Sequence, residues 1–185
     1  MDYVGPDYPN VTEGVWDPPN LSEEELAEWY QTYLGRWDVS EDKRVTPKEL
    51  AKTFSTWANE KQLPYEEKRK LALLMTAQGQ QEGAWAGMGR SPRNNPFNVG
   101  EFDQGTKQTF NSPEQGIRAY LDLMYNDYRP ESGDWLELVE MGRFINRAGN
   151  RYASDPDYET KNRGHINLFE TGKTSGFGPY PSFPR

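Results

Sequence analysis

The stretch Ala77-Gln78-Gly79-Gln80-Gln81-Glu82-Gly83-Ala84-Trp85 ends a helical run that starts near Tyr65. Glu82 follows Leu71, Leu74, Met75 and Gln78 by 11, 8, 7 and 4 positions. Each interval returns to the same side of an α-helix, so the Glu82 carboxyl points along the stripe that seeks the core. Gly83 marks the helix end. Apolar surroundings disfavour a carboxylate, and the C-terminal end of a helix adds negative potential. Both effects favour the neutral acid, the form that a general acid needs near neutral pH. Periodicity alone also allows a frayed helix end with a solvated Glu82.

Outward from this stretch the chain reads as helices. Ser22 with Glu25 forms a capping box, and Leu26, Trp29, Tyr30, Tyr33 and Trp37 follow at helical spacing. Thr46-Pro47-Lys48-Glu49 opens a second helix, with Leu50, Phe54, Trp57 and Ala58 on its apolar face. The third helix runs from about Tyr65 to Glu82. Ser112-Pro113-Glu114-Gln115 opens a fourth, which carries Ile117, Tyr120, Leu121, Met124 and Tyr128. A fifth is predicted over about Asp134 to Arg147. A sixth starts at Asp155-Pro156, with Tyr158, His165, Ile166 and Phe169 on its stripe.

Residues 84–111 break the helical pattern with Gly, Pro and Asn, and the short runs Phe97-Asn98-Val99 and Thr109-Phe110 leave a small hairpin open beside a wholly irregular lobe. A helical domain interrupted by one irregular or β-like lobe leaves a cleft between its two parts. The expected organisation is an extended arm over 1–20, an EF-hand-like helix pair over 21–63, the main domain over 64–170 and an irregular tail over 171–185.

Composition narrows the function. Net charge is −8 and no basic stripe is visible, which argues against a nucleic-acid partner. Aromatic residues make up 14% against only 34% hydrophobic, so rings supply much of the core, and the same rings suit sugar faces. The absence of cysteine excludes disulfides and thiol chemistry, and a lone His165 excludes any site needing two imidazoles. His165 itself reads as a packed histidine. No stretch is long and apolar enough for a membrane span, and the first residues lack the features of a signal peptide.

Four segments together resemble the lysozyme superfamily of peptidoglycan hydrolases, in particular its flagellar-muramidase-type glucosaminidases and lytic transglycosylases. They are the Ala77–Trp85 stretch, Asn94-Asn95-Pro96-Phe97-Asn98-Val99-Gly100, Phe110-Asn111-Ser112-Pro113-Glu114-Gln115-Gly116, and Tyr152-Ala153-Ser154-Asp155-Pro156-Asp157-Tyr158. The resemblance spans about residues 70–170. It implies a mainly α, lysozyme-like helical domain with a short irregular or β-hairpin lobe, acting on peptidoglycan glycan strands. It makes Glu82 the general acid and Tyr152 an active-site residue that binds substrate or assists the acid. It places Asn95 and Phe97 beneath the cleft, and Trp85 and Tyr120 join them as substrate-binding candidates.

Two departures bear on mechanism. The family's Glu-Ser-Gly-Trp-Gly stands here as Glu82-Gly83-Ala84-Trp85-Ala86. The second carboxylate of a two-carboxylate glycosidase has only Glu101 and Asp103 as nearby candidates, and both also read as solvated loop acids. With a single effective acid, the lytic transglycosylase route stays open beside hydrolysis.

A second constellation lies upstream. Asp38 to Glu49 resembles an EF-hand loop, with Asp38, Ser40, Asp42, Thr46 and Glu49 as oxygen ligands and Arg44 offering its backbone carbonyl to a structural Ca²⁺. Lys43 stands where the loop wants glycine, and the Thr46–Glu49 capping box explains the same residues without metal. Catalysis itself calls for no cofactor. Three functions follow as expectations. The first is a peptidoglycan-cleaving, bacteriolytic enzyme of phage origin, present in the virion or in the host cytoplasm before release. The second is a non-catalytic virion protein on a lysozyme-like scaffold that meets other virion proteins through its terminal arms. The third is a calcium-dependent binding module.

Overall fold

Helix starts in this chain are set by side chains that satisfy the first free backbone N–H groups. The computed structural model describes residues 21–34, 44–83, 92–100 and 108–171. Helix α1 (Glu23–Leu34) begins at Ser22, whose Oγ accepts from the Glu25 N–H at 3.2 Å while Glu25 accepts from the Ser22 N–H at 3.3 Å. Helix α2 (Pro47–Glu60) has the same reciprocal box between Thr46 and Glu49, at 3.2 and 2.9 Å. Helix α3 spans Tyr65–Gly83. Helix α4 (Pro113–Leu123) starts at Ser112 and runs on into a widened turn over Met124–Tyr128. Helix α5 (Tyr158–Thr171) follows Asp155, whose Oδ1 accepts from the Asp157 N–H at 2.9 Å.

The end of α2 is a paired stop. The Gln62 N–H reaches the Asn59 carbonyl at 3.0 Å, and the Leu63 N–H reaches the Ala58 carbonyl at 3.2 Å. This geometry needs a left-handed residue between them, and Gln62 supplies it at φ 52°. A side chain there is strained. Gln62→Gly should therefore stabilise the fold by about 0.5–1 kcal/mol, the strain relieved less the extra chain entropy of glycine. Urea titration checks this, through a raised midpoint at constant slope.

Helix α1 packs on α2, α2 on α4, and α3 on α5. The buried core is continuous across both expected segments 21–63 and 64–170, from Leu26 and Trp57 to Leu74, Tyr120 and Trp135. The Trp57 indole N–H, donating to Asp122 Oδ1 at 2.8 Å, ties α2 to α4. Arg129 grips the buried Glu67 with two bonds of 2.7 and 2.9 Å, tying α3 to the chain after α4. Among the described residues, no helix is long and apolar enough to cross a membrane.

One expectation is corrected and one narrowed. The helix expected over Asp134–Arg147 is only a short 3₁₀ segment, Trp135–Val139, after which the chain turns back through Gly142 at φ 72°. Ile145 and Arg151 then form an antiparallel bridge, and the Tyr152 N–H bonds the Phe144 carbonyl at 2.9 Å. The buried Trp135, Leu138, Val139 and Phe144 imitate a helical stripe but reach the core from turns. Of the two forms left open for the lobe, the hairpin between 97–99 and 109–110 is not formed: the described residues contain no sheet. Side-chain bonds take its place. Asn95 Nδ2 donates to the Val99 and Gln108 carbonyls at 3.0 and 3.1 Å, and Asn94 Nδ2 to that of Phe110 at 3.1 Å.

Candidate active site

Glu82 sits on the last turn of α3, partly buried, where α5 and the 92–100 loop meet the helix end. Its Oε1 accepts from the Tyr158 hydroxyl at 2.9 Å. Its Oε2 accepts from Asn98 Nδ2 at 3.3 Å, and the same nitrogen lies 3.4 Å from the Glu82 carbonyl. Asn98 makes this approach from the left-handed region, at φ 52°, which asparagine tolerates better than most residues. The carboxyl is thus held at both oxygens by groups from two other parts of the chain.

One turn back, Gln78 is fully buried. Its Nε2 donates to the Tyr158 hydroxyl at 3.2 Å, and its Oε1 accepts from the Tyr120 hydroxyl. Tyr152 completes the group. Its ring lies 5.5 Å from that of Tyr158 with planes 24° apart, and its hydroxyl interacts with Gln78. Burial, reinforced by the Glu82 carboxylate, pushes the phenols of Tyr152 and Tyr158 well above the usual range. Burial does the same to Tyr120, helped by Tyr152 and then Glu82. All three therefore stay protonated and act as O–H donors at any physiological pH.

The other residues expected at the site fall into two groups. Asn95, Phe97 and Tyr120 are buried, and Tyr120 reaches the site through Gln78. Phe97 stacks on Tyr120 with ring centres 3.8 Å apart, and Asn95 closes its own loop by accepting from the Val99 N–H at 2.8 Å. Trp85, Glu101 and Asp103 lie outside the described residues. Tyr158 and Asn98, which bond Glu82, and Gln78, which bonds Tyr158, are site residues that sequence reasoning missed. Gln78 was visible as a polar side chain inside an apolar stripe, four residues before Glu82. A depression of about 320 Å³ lined by Tyr128, Arg129, Leu138 and Arg147 is a separate feature, with neither Glu82 nor its bonded partners in its lining.

His165, on α5, is buried, with Nε2 3.3 Å from Gln81 Oε1. Burial pushes its imidazole down to about 4. The folded protein therefore keeps His165 neutral while the unfolded chain takes up a proton below about pH 6.5. The stability this costs is absent above that pH and grows as pH falls towards 4. Relative to His165→Gln, the native protein should lose about 2 kcal/mol between pH 7 and pH 5. Urea unfolding of both proteins at the two pH values measures the difference.

In the upstream loop, Asp38, Ser40 and Asp42 lie outside the described residues. The remaining Ca²⁺ ligands are engaged elsewhere. Arg93 donates through Nε to the Arg44 carbonyl at 3.0 Å and through a terminal nitrogen to Glu49 Oε1 at 2.5 Å. Thr46 Oγ1 and Glu49 Oε2 are used by the capping box. Arg93 thus bridges the Arg44 carbonyl and the Glu49 carboxylate in the described half of the loop.

Comparison of the chain with protein-family models, with curated proteins and with solved structures finds no match.

Proposed function

We propose that this chain is a glycosidase of the lysozyme-like class, with Glu82 as the general acid. Its particular reaction is cleavage of the β-1,4 glycan backbone of peptidoglycan, as a muramidase, a glucosaminidase or a lytic transglycosylase. One observation carries the reading: a carboxyl at the end of a buried helix, fixed through both oxygens and set among three protonated tyrosines. Such a group is oriented in advance, and orientation is most of what a proton donor to a leaving oxygen requires. Tyr152 is the phenol that binds substrate or assists the acid. Trp85 contributes a sugar-stacking ring, and Glu101 or Asp103 supplies the second carboxylate in a hydrolytic route. The bacteriolytic setting is a phage particle or phage-infected cell.

Incubating the purified chain with peptidoglycan and weighing the products tests this. Anhydro ends identify a lytic transglycosylase, new reducing muramic acid a muramidase, and new reducing glucosamine a glucosaminidase. Intact glycan from every wall type overturns the reading.

A second reading, a virion structural protein that keeps a lysozyme-like scaffold without catalysis, has one observation in its favour. Both Glu82 oxygens already accept hydrogen bonds from the protein, as a purely structural carboxylate does.

A further inference from the structure

Three polar side chains leading to Glu82 form a chain with a direction. Tyr120 donates to Gln78 Oε1, Gln78 Nε2 donates to the Tyr158 oxygen, and Tyr158 donates to Glu82 Oε1. A neutral amide has its acceptor on one atom and its donors on the other, so Tyr120 decides which way Gln78 faces. Gln78 in turn occupies the Tyr158 oxygen as a donor, which turns the Tyr158 hydrogen towards Glu82. Gln78 and Tyr120 are wholly buried and Tyr158 nearly so, so no bulk water competes for these bonds.

We propose that Gln78 is a positioning residue that sets the polarity of this chain and so fixes Oε2 as the Glu82 oxygen that carries the exchangeable proton. Oε1 always faces an incoming O–H. Oε2 faces the longer bond from Asn98, whose amide can turn to offer its own Oδ1, a buried oxygen without a partner in the fold. A proton on Oε2 thus has a place to rest and a direction in which to leave. Rising buried tyrosine pKa values support the donor roles but do not set the direction; the amide does. The inference rests on Glu82 being the acid of the proposed reaction, yet it describes a titration that needs no turnover.

The titratable groups facing Glu82 among the described residues are Tyr120 on α4, Tyr158 on α5 and Tyr152 before α5, with His165 of α5 on the neighbouring Gln81. The test follows the Glu82 carboxyl by carbon NMR in the full chain, its signal assigned by its loss in Glu82→Gln. Removing the directed donor withdraws a bond that favours the carboxylate. The Glu82 midpoint should therefore rise by about one pH unit in Tyr158→Phe and in Gln78→Met. The double variant should move it no further than either alone, because both act through one hydrogen bond. Tyr120→Phe, which frees the Gln78 amide to turn, should shift it in the same direction and serves if Gln78→Met fails to fold. An unmoved midpoint in the folded Gln78 or Tyr120 variant, or additive shifts in the double variant, overturns the proposal. A shifted midpoint with intact peptidoglycan overturns the glycosidase reading alone, and cleavage with an unmoved midpoint overturns the polarity assignment alone.

Discussion

Gly116→Ala should destabilise the fold by about 3 kcal/mol or more, although alanine is the better helix former. On a free helix the same change would stabilise by up to about 1 kcal/mol. The sign reverses because α4 lies against the backbone of the 92–100 loop. A Cβ built on Gly116 would fall 1.9 Å from the Asn94 carbonyl oxygen, 2.8 Å from its carbon and 3.2 Å from the Asn95 Cα. Every one of these atoms is backbone, so no rotamer change clears the space, and the loop must move off the helix. That loop carries Asn95, Phe97 and Asn98, so the displacement disturbs the stacking of Phe97 on Tyr120 and the Asn98 bond to Glu82. Urea unfolding of Gly116→Ala beside Glu114→Ala separates this from a general effect of substitution in α4. The Glu114 side chain is exposed, and its variant should stay within about 0.5 kcal/mol of the native protein. Equal stability of the two variants would mean that the close approach is not there.

Gly116 also shows where sequence reading stops. A glycine inside a predicted helix registers as a small local cost, and its use appears only when a distant backbone is found against it. The helix starts were legible, because Ser22, Thr46 and Ser112 act within three residues of themselves and need nothing from the rest of the fold. The inward aim of Glu82 was legible for a similar reason, since one helical repeat connects it to Leu71 and Leu74. The segment after α4 misled. Trp135, Leu138, Val139 and Phe144 have the spacing of a helix, but Gly142 and the Ile145–Arg151 bridge turn the chain, and the pattern of apolar residues does not record a turn. In the upstream loop, Thr46 and Glu49 fit two devices at once, a capping box and a calcium loop. Arg93, 44 residues beyond Glu49, bonds the same carboxylate, and such a long-range pairing leaves no trace in local spacing. Asn98 and Tyr158 belong to the same class. Each meets Glu82 across a long sequence separation, and only the fold brings them together.

If Glu82 is the general acid, Glu82→Gln should lower peptidoglycan cleavage by about a thousandfold or more while leaving the fold in place. The substitution keeps the size and shape of the side chain and removes only its ability to give up a proton. Its carbonyl oxygen can still accept from the Tyr158 hydroxyl. Its new Nε2 would face Asn98 Nδ2, donor against donor, until the Asn98 amide turns and presents Oδ1, which has no partner in the native arrangement. The expected change in stability is therefore within about 1 kcal/mol. Paired measurements of product release and of urea midpoint decide between the two readings of the site. Lost cleavage with an unmoved midpoint is the mark of a proton donor. Unimpaired cleavage in a folded Glu82→Gln protein would take the acid role away from Glu82. It would leave the grip of Tyr158 and Asn98 as a device for anchoring the end of α3 and nothing more.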